Sequence, residues 1–235
     1  MSELETGVRL LPLSGAVFVG AAVTGKLTPK LGAKAMVVPG MIIGTVGVFL
    51  LTQIDKTSTY TDFLPSLLLL GFAIGLSVSP DTDTIMGSFP ESELGVGGGA
   101  NDTSLELGGS LGIALLGSLL GSLLGTAYKD KLGGTVGNQL PHDALDAARE
   151  SVGGGLAVAE HVAQLPGGGP EQAQILVDAV NESFAHGISQ TSLIGGLIMA
   201  ADTMIVLAVL PGRRAAAPYR QEKTAEAEKE HAEVG

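Results

Sequence analysis

The sequence predicts an all-α membrane protein with about five membrane-spanning helices. Three observations carry the prediction. Only 16% of the 235 residues are charged, whereas a soluble domain has about a quarter. The mean hydropathy is +0.38, supplied by Leu, Val, Ile, Ala and 35 Gly rather than by aromatics, which make up 4%. Five segments stay apolar over lengths close to or above the roughly 20 residues that cross a hydrocarbon core. Buried parallel strands also read as apolar runs, but over only about 4–8 residues, so a soluble α/β protein is set aside.

The predicted helices cover residues 8–25, 35–54, 63–89, 96–127 and 187–211. The first is short, with Arg9 at its edge, and the third contains Pro80. The fourth is Gly-rich and weakly apolar at its start. Together they form a transmembrane bundle over 1–212, followed by a charged tail over 213–235 whose composition reads as disordered.

Lys and Arg in short loops set orientation. Lys26, Lys30 and Lys34 separate the first two helices, and Arg213, Arg214 and Arg220 follow the fifth. Five helices starting outside put both groups in the cytoplasm. The long loop over 128–186 is then outside. It contains two amphipathic helical segments, 142–163 and 170–186, separated by Pro166-Gly167-Gly168-Gly169-Pro170. In the second, Ile175, Ala179 and Val180 are expected to share a face with Phe184. These segments either lie on the bilayer or cap the bundle, or form a solvated hairpin. The localisation expected is the cell membrane, multi-pass, with the lipid bilayer as the first partner.

The net charge of −11 argues against nucleic acid as a partner. Absence of cysteine excludes disulfides and thiolate metal sites. The four histidines form no ligand-like pair, the Gly-rich run from Gly95 to Gly99 lacks a phosphate-loop lysine, and no nucleophile–base set is visible. No metal, cofactor or enzyme activity is expected.

Acidic residues inside membrane helices cost about 2.5–3.5 kcal/mol on insertion scales and are functional candidates by default. Asp102 and Glu106, four residues apart, share one face of the fourth helix. Two carboxyls so placed in a dry site do not both ionise easily, which suits uptake and release of a proton. The alternative is an interfacial helix start, where acids favour the N-terminal dipole. Asp81 and Asp83 follow Pro80 and line an inner cavity or a solvated helix end; Asp202 lies within the fifth helix, functional or reaching the inner interface. Gly108 and Gly112, and Gly117 and Gly121, have the spacing that lets helices approach closely. With Gly109 they predict that the fourth helix packs inside a bundle.

Three stretches together resemble a known family. GKLTPKLGAK (25–34) is similar to the inner-loop motif G-x-L-x-D-R-x-G-R-K of the major facilitator superfamily, matching at Gly25, Leu27, Lys30, Gly32 and Lys34, with Pro29 in place of the aspartate. Residues 80–120 resemble the next-to-last helix region of fourteen-helix drug:proton antiporters of the EmrB/QacA type, with their P-x-T-D-x-I-M-G-x-x-P and N-D-T-x-R-E-x-G-G-x-x-G segments. Asp83, Asn101, Asp102, Glu106, Gly108, Gly109 and Gly112 match, and Leu105 replaces the arginine. LETGVRLLP (4–12) is similar to the segment just before the tenth helix of that type.

The resemblance implies a partial major facilitator bundle, the C-terminal portion of a proton-driven multidrug or small-molecule exporter. It places Asp83, Asp102 and Glu106 in or near the path of protons and substrate. It further implies that missing N-terminal helices, or a homologous transporter, complete the cavity, so the chain alone is not expected to transport. The alternative is a non-transporting membrane protein that binds a homologous transporter through its small-residue stripes.

Overall fold

The computed structural model describes residues 3–132, 152–164 and 169–210. The tail over 213–235 and the first ten residues of the segment 142–163 lie outside the described residues. Among the described residues six α-helices follow in order: α1 (Glu3–Leu31), α2 (Lys34–Leu50), α3 (Tyr60–Met86), α4 (Leu94–Leu132), α5 (Val152–Gln164) and α6 (Pro170–Val209). All except α5 are long and apolar enough to cross a membrane, so the described residues form the five-span, all-α architecture that the hydropathy implies.

Local chemistry sets the boundaries. Gly32 adopts φ 90°, a conformation glycine reaches without a Cβ penalty, and its N–H bonds Thr28 O at 2.8 Å, closing α1. Asp62 Oδ2 accepts from the Thr59 backbone N–H (2.6 Å) and from Thr59 Oγ1 (3.0 Å), which fixes the start of α3 in the manner of a capping box. At its other end, Ser88 N–H and Phe89 N–H make tighter turn bonds to Ile85 O and Met86 O, and Pro90 follows. The helix therefore stops at Met86, three residues short of the apolar stretch that predicts it.

The largest difference from the sequence expectation is α6. Its 40 residues join the amphipathic segment 170–186 to the last span without a break. Hydropathy marks only the apolar part of a helix, and no proline interrupts the chain between 170 and 211. At 1.5 Å per residue α6 is about 60 Å long, twice the hydrocarbon thickness.

The chain divides into two compact units. The first takes in 1–47, 67–102 and 197–235. Here α1 and α3 meet almost backbone to backbone at Gly20, Gly71 and Gly75. A Cβ on Gly20 would lie 2.5 Å from Phe72 O, and one on Gly75 would lie 2.8 Å from Ala21 N. Thr24, 2% exposed, donates its hydroxyl toward Gly75 O (3.2 Å) and Leu76 O (3.3 Å) across the same seam. The other side of α3 packs on α2, where Gly40 abuts Ser77 and Leu76, and Gly44 abuts Ala73 and Met199 of α6.

The second unit takes in 48–66 and 103–196. Its core is Val158, Ala159 and Val162 of α5 against Leu176, Ala179 and Val180 of α6. The buried stripe on α6 is thus Leu176, Ala179, Val180 and Ser183, while Ile175 and Phe184 are exposed. Ala179 and Val180 meet the expectation of a shared face; Ile175 and Phe184 fall on its flanks, about 100° from Leu176 and Ser183 respectively. The α2–α3 connection is held to α6 by a Ser189 Oγ donation to Thr52 O (2.7 Å) and by a Lys56–Glu182 ion pair at 3.6 Å.

Candidate functional site

The predicted acids lie on three helices. Asp83 sits in the last turns of α3 and is exposed, its backbone O accepting from Gly87 N–H at 2.9 Å. Asp81 lies two residues earlier, after the fully buried Pro80. Residues two apart on a helix point about 200° apart, so the two aspartates serve different faces. It is Asp81 that comes within coulombic reach of Asp202 on α6. That pairing is not visible in the sequence, because nothing in either segment says which turn of α6 packs beside the end of α3.

On α4, Asp102 is exposed and its Oδ1 accepts from Asn101 Nδ2 at 3.2 Å, while Asn101 itself is buried. Glu106 follows one helical turn later, exposed, and the Ser110 hydroxyl donates to its backbone O. The span of α4 has 0% of its most apolar window buried, against 33% for α3. A Cβ added at Gly108, Gly109, Gly112, Gly117 or Gly121 would meet nothing within 4 Å. The expected glycine contacts are therefore not made within the described residues. Close contacts are made instead by Gly20, Gly40, Gly44, Gly71 and Gly75, and the pairs Gly40/Gly44 and Gly71/Gly75 carry the same four-residue spacing.

The inner-loop motif is resolved in the first unit. Gly25 has open space where a Cβ would be, Gly32 makes the turn, and Lys34 at the start of α2 donates from Nζ to Leu207 O of α6 at 2.7 Å. The α1–α2 connection and the end of α6 are thus at the same end of that unit. Among the described residues, no group of three or more His, Asp or Glu is placed to hold a metal ion. A cleft of ≈ 460 Å³ in the second unit is lined by a single stretch of chain, Leu50 to Pro65, including Asp55 and Asp62. Donation from Thr57 and Ser58 holds the Asp55 carboxyl below the usual carboxylate value.

Comparisons with known proteins agree with the fold. A family model described as Major Facilitator Superfamily matches residues 1–113. The tetracenomycin C resistance and export protein of Streptomyces glaucescens is 29% identical over 222 residues, covering 92% of this chain and 40% of that protein. The multidrug efflux pump LfrA of Mycolicibacterium smegmatis is 26% identical, covering 88% of this chain and 38% of its own length. A tetracycline resistance determinant of Streptomyces rimosus is 28% identical, covering 84% and 59%. The chain spans about two fifths of the length of the first two relatives. The family model thus matches just under half of the chain, and these relatives, with the five apolar helices, fit a multi-pass membrane protein.

Proposed function

We propose that this chain belongs to the major facilitator superfamily and is the C-terminal part of a proton-coupled multidrug or small-molecule efflux transporter of the fourteen-helix type, not competent for transport alone. The observation that carries the reading is α4. The helix whose sequence resembles the antiporter motif bears Asp102 and Glu106 on an exposed surface, with no part of its most apolar window buried. Carboxyls in a membrane span are costly unless they face protein or a water-filled cavity. Helices beyond these five would supply that environment, and the export and efflux relatives are longer proteins.

In the proposed mechanism, Asp102 and Glu106 exchange a proton as the cavity opens to alternate sides, and Asp83 and Asp202 lie nearer its inner mouth. Transporters of this kind work by rocking two bundles about a site near the midplane. One bundle cannot provide two walls, which is why the isolated chain is expected to be inactive. The substrate is a small molecule exported against its gradient while protons run inward.

Two measurements test the reading. DNA upstream of Met1 should encode, in frame, about nine further apolar helices, a count that follows from the fourteen-helix resemblance. In cells carrying that longer protein, energised efflux of a fluorescent cationic dye should be lost in Asp102→Asn and in Glu106→Gln. Efflux unchanged in both variants would remove the proposed proton role. Efflux by the 235-residue chain on its own would remove the claim that it is incompetent.

A further inference from the structure

The last helix ends with an acceptor that the regular α-helical ladder does not satisfy. In an α-helix the carbonyl of Leu207 receives the N–H of residue 211, and residue 211 is proline, which has none. Among the described residues, the final backbone bond of α6 runs from Leu210 N–H to Val206 O at 2.9 Å. The last turn of α6 contains no basic residue of its own. Orphan carbonyls at a helix end need a donor.

The donor comes from a different helix. Lys34 Nζ lies 2.7 Å from Leu207 O, 173 residues away in sequence. For its own helix the lysine is badly placed. It opens α2, and a cation at a helix N-terminus opposes the dipole. There is no acidic residue in the first turn of α2 to offset it. At the C-terminus of α6 the same charge is favourable and its hydrogen bond is charge-assisted. The Gly32 turn, with φ 90°, sets where α2 begins and so where the lysine stands.

We propose that Lys34 is the C-terminal cap of α6, made necessary by Pro211, and that it fastens the end of the last helix to the α1–α2 connection so that they move as one body. The lysine of the GKLTPKLGAK segment is then a positioning residue that acts through the α6 backbone. The inference does not depend on the transport reading, because it concerns only contacts within this chain.

Hydrogen exchange on the full chain in lipid nanodiscs tests it, with the amides of 206–210 as the readout and those of α3 as the internal reference. Lys34→Met should speed exchange in that last turn by roughly three- to ten-fold, the loss expected for one charge-assisted cap. Lys34→Arg, which keeps a cationic donor, should stay close to the unmodified chain. Pro211→Ala returns the N–H that a continued α-helix bonds to Leu207 O, so Lys34→Met in that background should have little further effect. The proposal is overturned by unchanged exchange in Lys34→Met, by an equal acceleration in the Pro211→Ala background, or by acceleration spread evenly over α3.

Discussion

Replacing Gly75 by alanine should weaken the fold more than any other single methyl added to α1 or α3. A Cβ at that position would come against Val17 O, 2.8 Å from Ala21 N and 2.9 Å from Gly20 Cα. All three are backbone atoms of α1, so no side chain can swing away. Restoring ordinary contact at about 3.5 Å requires α1 and α3 to separate by roughly 0.6 Å at the two longer contacts and by more at Val17 O. That separation stretches the Thr24 hydroxyl bonds, already 3.2 and 3.3 Å long. Overpacking of this kind costs about 1–3 kcal/mol, and a backbone-limited contact belongs at the upper end. Alanine recovers up to about 1 kcal/mol through its better helix propensity. The net loss is therefore about 2 kcal/mol, close to thirty-fold in the folded-to-unfolded ratio. Reversible unfolding in mixed micelles of rising SDS fraction, followed by far-UV circular dichroism, gives the comparison. Gly15→Ala is the control, because its Cβ would meet nothing within 4 Å; it should be neutral or slightly stabilising. If Gly75→Ala and Gly15→Ala unfold at the same SDS fraction, the close α1–α3 seam is not a feature of the protein.

Three further outcomes follow from the same contacts. Thr24→Val keeps the shape of a side chain that is 2% exposed and removes only its hydroxyl bonds, so in the same SDS assay it should cost about 0.5–1 kcal/mol, less than Gly75→Ala. Leu176, 0% exposed at the centre of the α5–α6 cluster, should cost about 2–5 kcal/mol when cut to alanine; hydrogen exchange should show the loss in α5 and leave the α1–α3 seam protected. The Asp55 carboxyl is held below its usual value of 3.8 by donation from Thr57 and Ser58. A depressed carboxylate stabilises its turn above the unfolded value and stops doing so as pH falls through the folded one. The Thr57 amide shift should therefore hold steady from neutral pH down to the ordinary carboxylate range and change only below it, and Asp55→Asn should abolish that titration.

Hydropathy was sufficient for the number and order of the spans, because a length of apolar chain is a local property. Gly32 was legible only as one match to the loop motif; that it turns the chain with φ 90° came from the structure. What sequence could not supply was partnership across helices. Nothing local distinguishes Asp81 from Asp83, yet only the register of α3 against α6 brings Asp81 to Asp202. Lys34 was visible as one match to a loop motif, but its contact with Leu207 depends on two helix ends 173 residues apart. The continuity of α6 was hidden for a different reason. Residues 170–186 are polar on one face, and hydropathy averages over faces, whereas the helix ladder is indifferent to them.

The glycines show how far spacing alone carries. Gly71 and Gly75 stand four apart, and so do Gly108 and Gly112. The first pair presses on α1; the second faces open space among the described residues. Spacing therefore identifies a surface that permits close approach, and another observation must say whether anything approaches. On α4 that observation is chemical. Beside its glycines the helix exposes Asp102, Glu106 and Ser110, together with Leu111 and Ile113. Each carboxyl left toward lipid at the centre of a span costs about 2.5–3.5 kcal/mol, far more than dispersion along a stripe of glycine returns. A purely lipid-facing α4 is thus the least stable arrangement of these residues. Additional helices that wet the acids and cover the glycines remove both penalties together, which is the physical ground on which the proposed larger transporter rests.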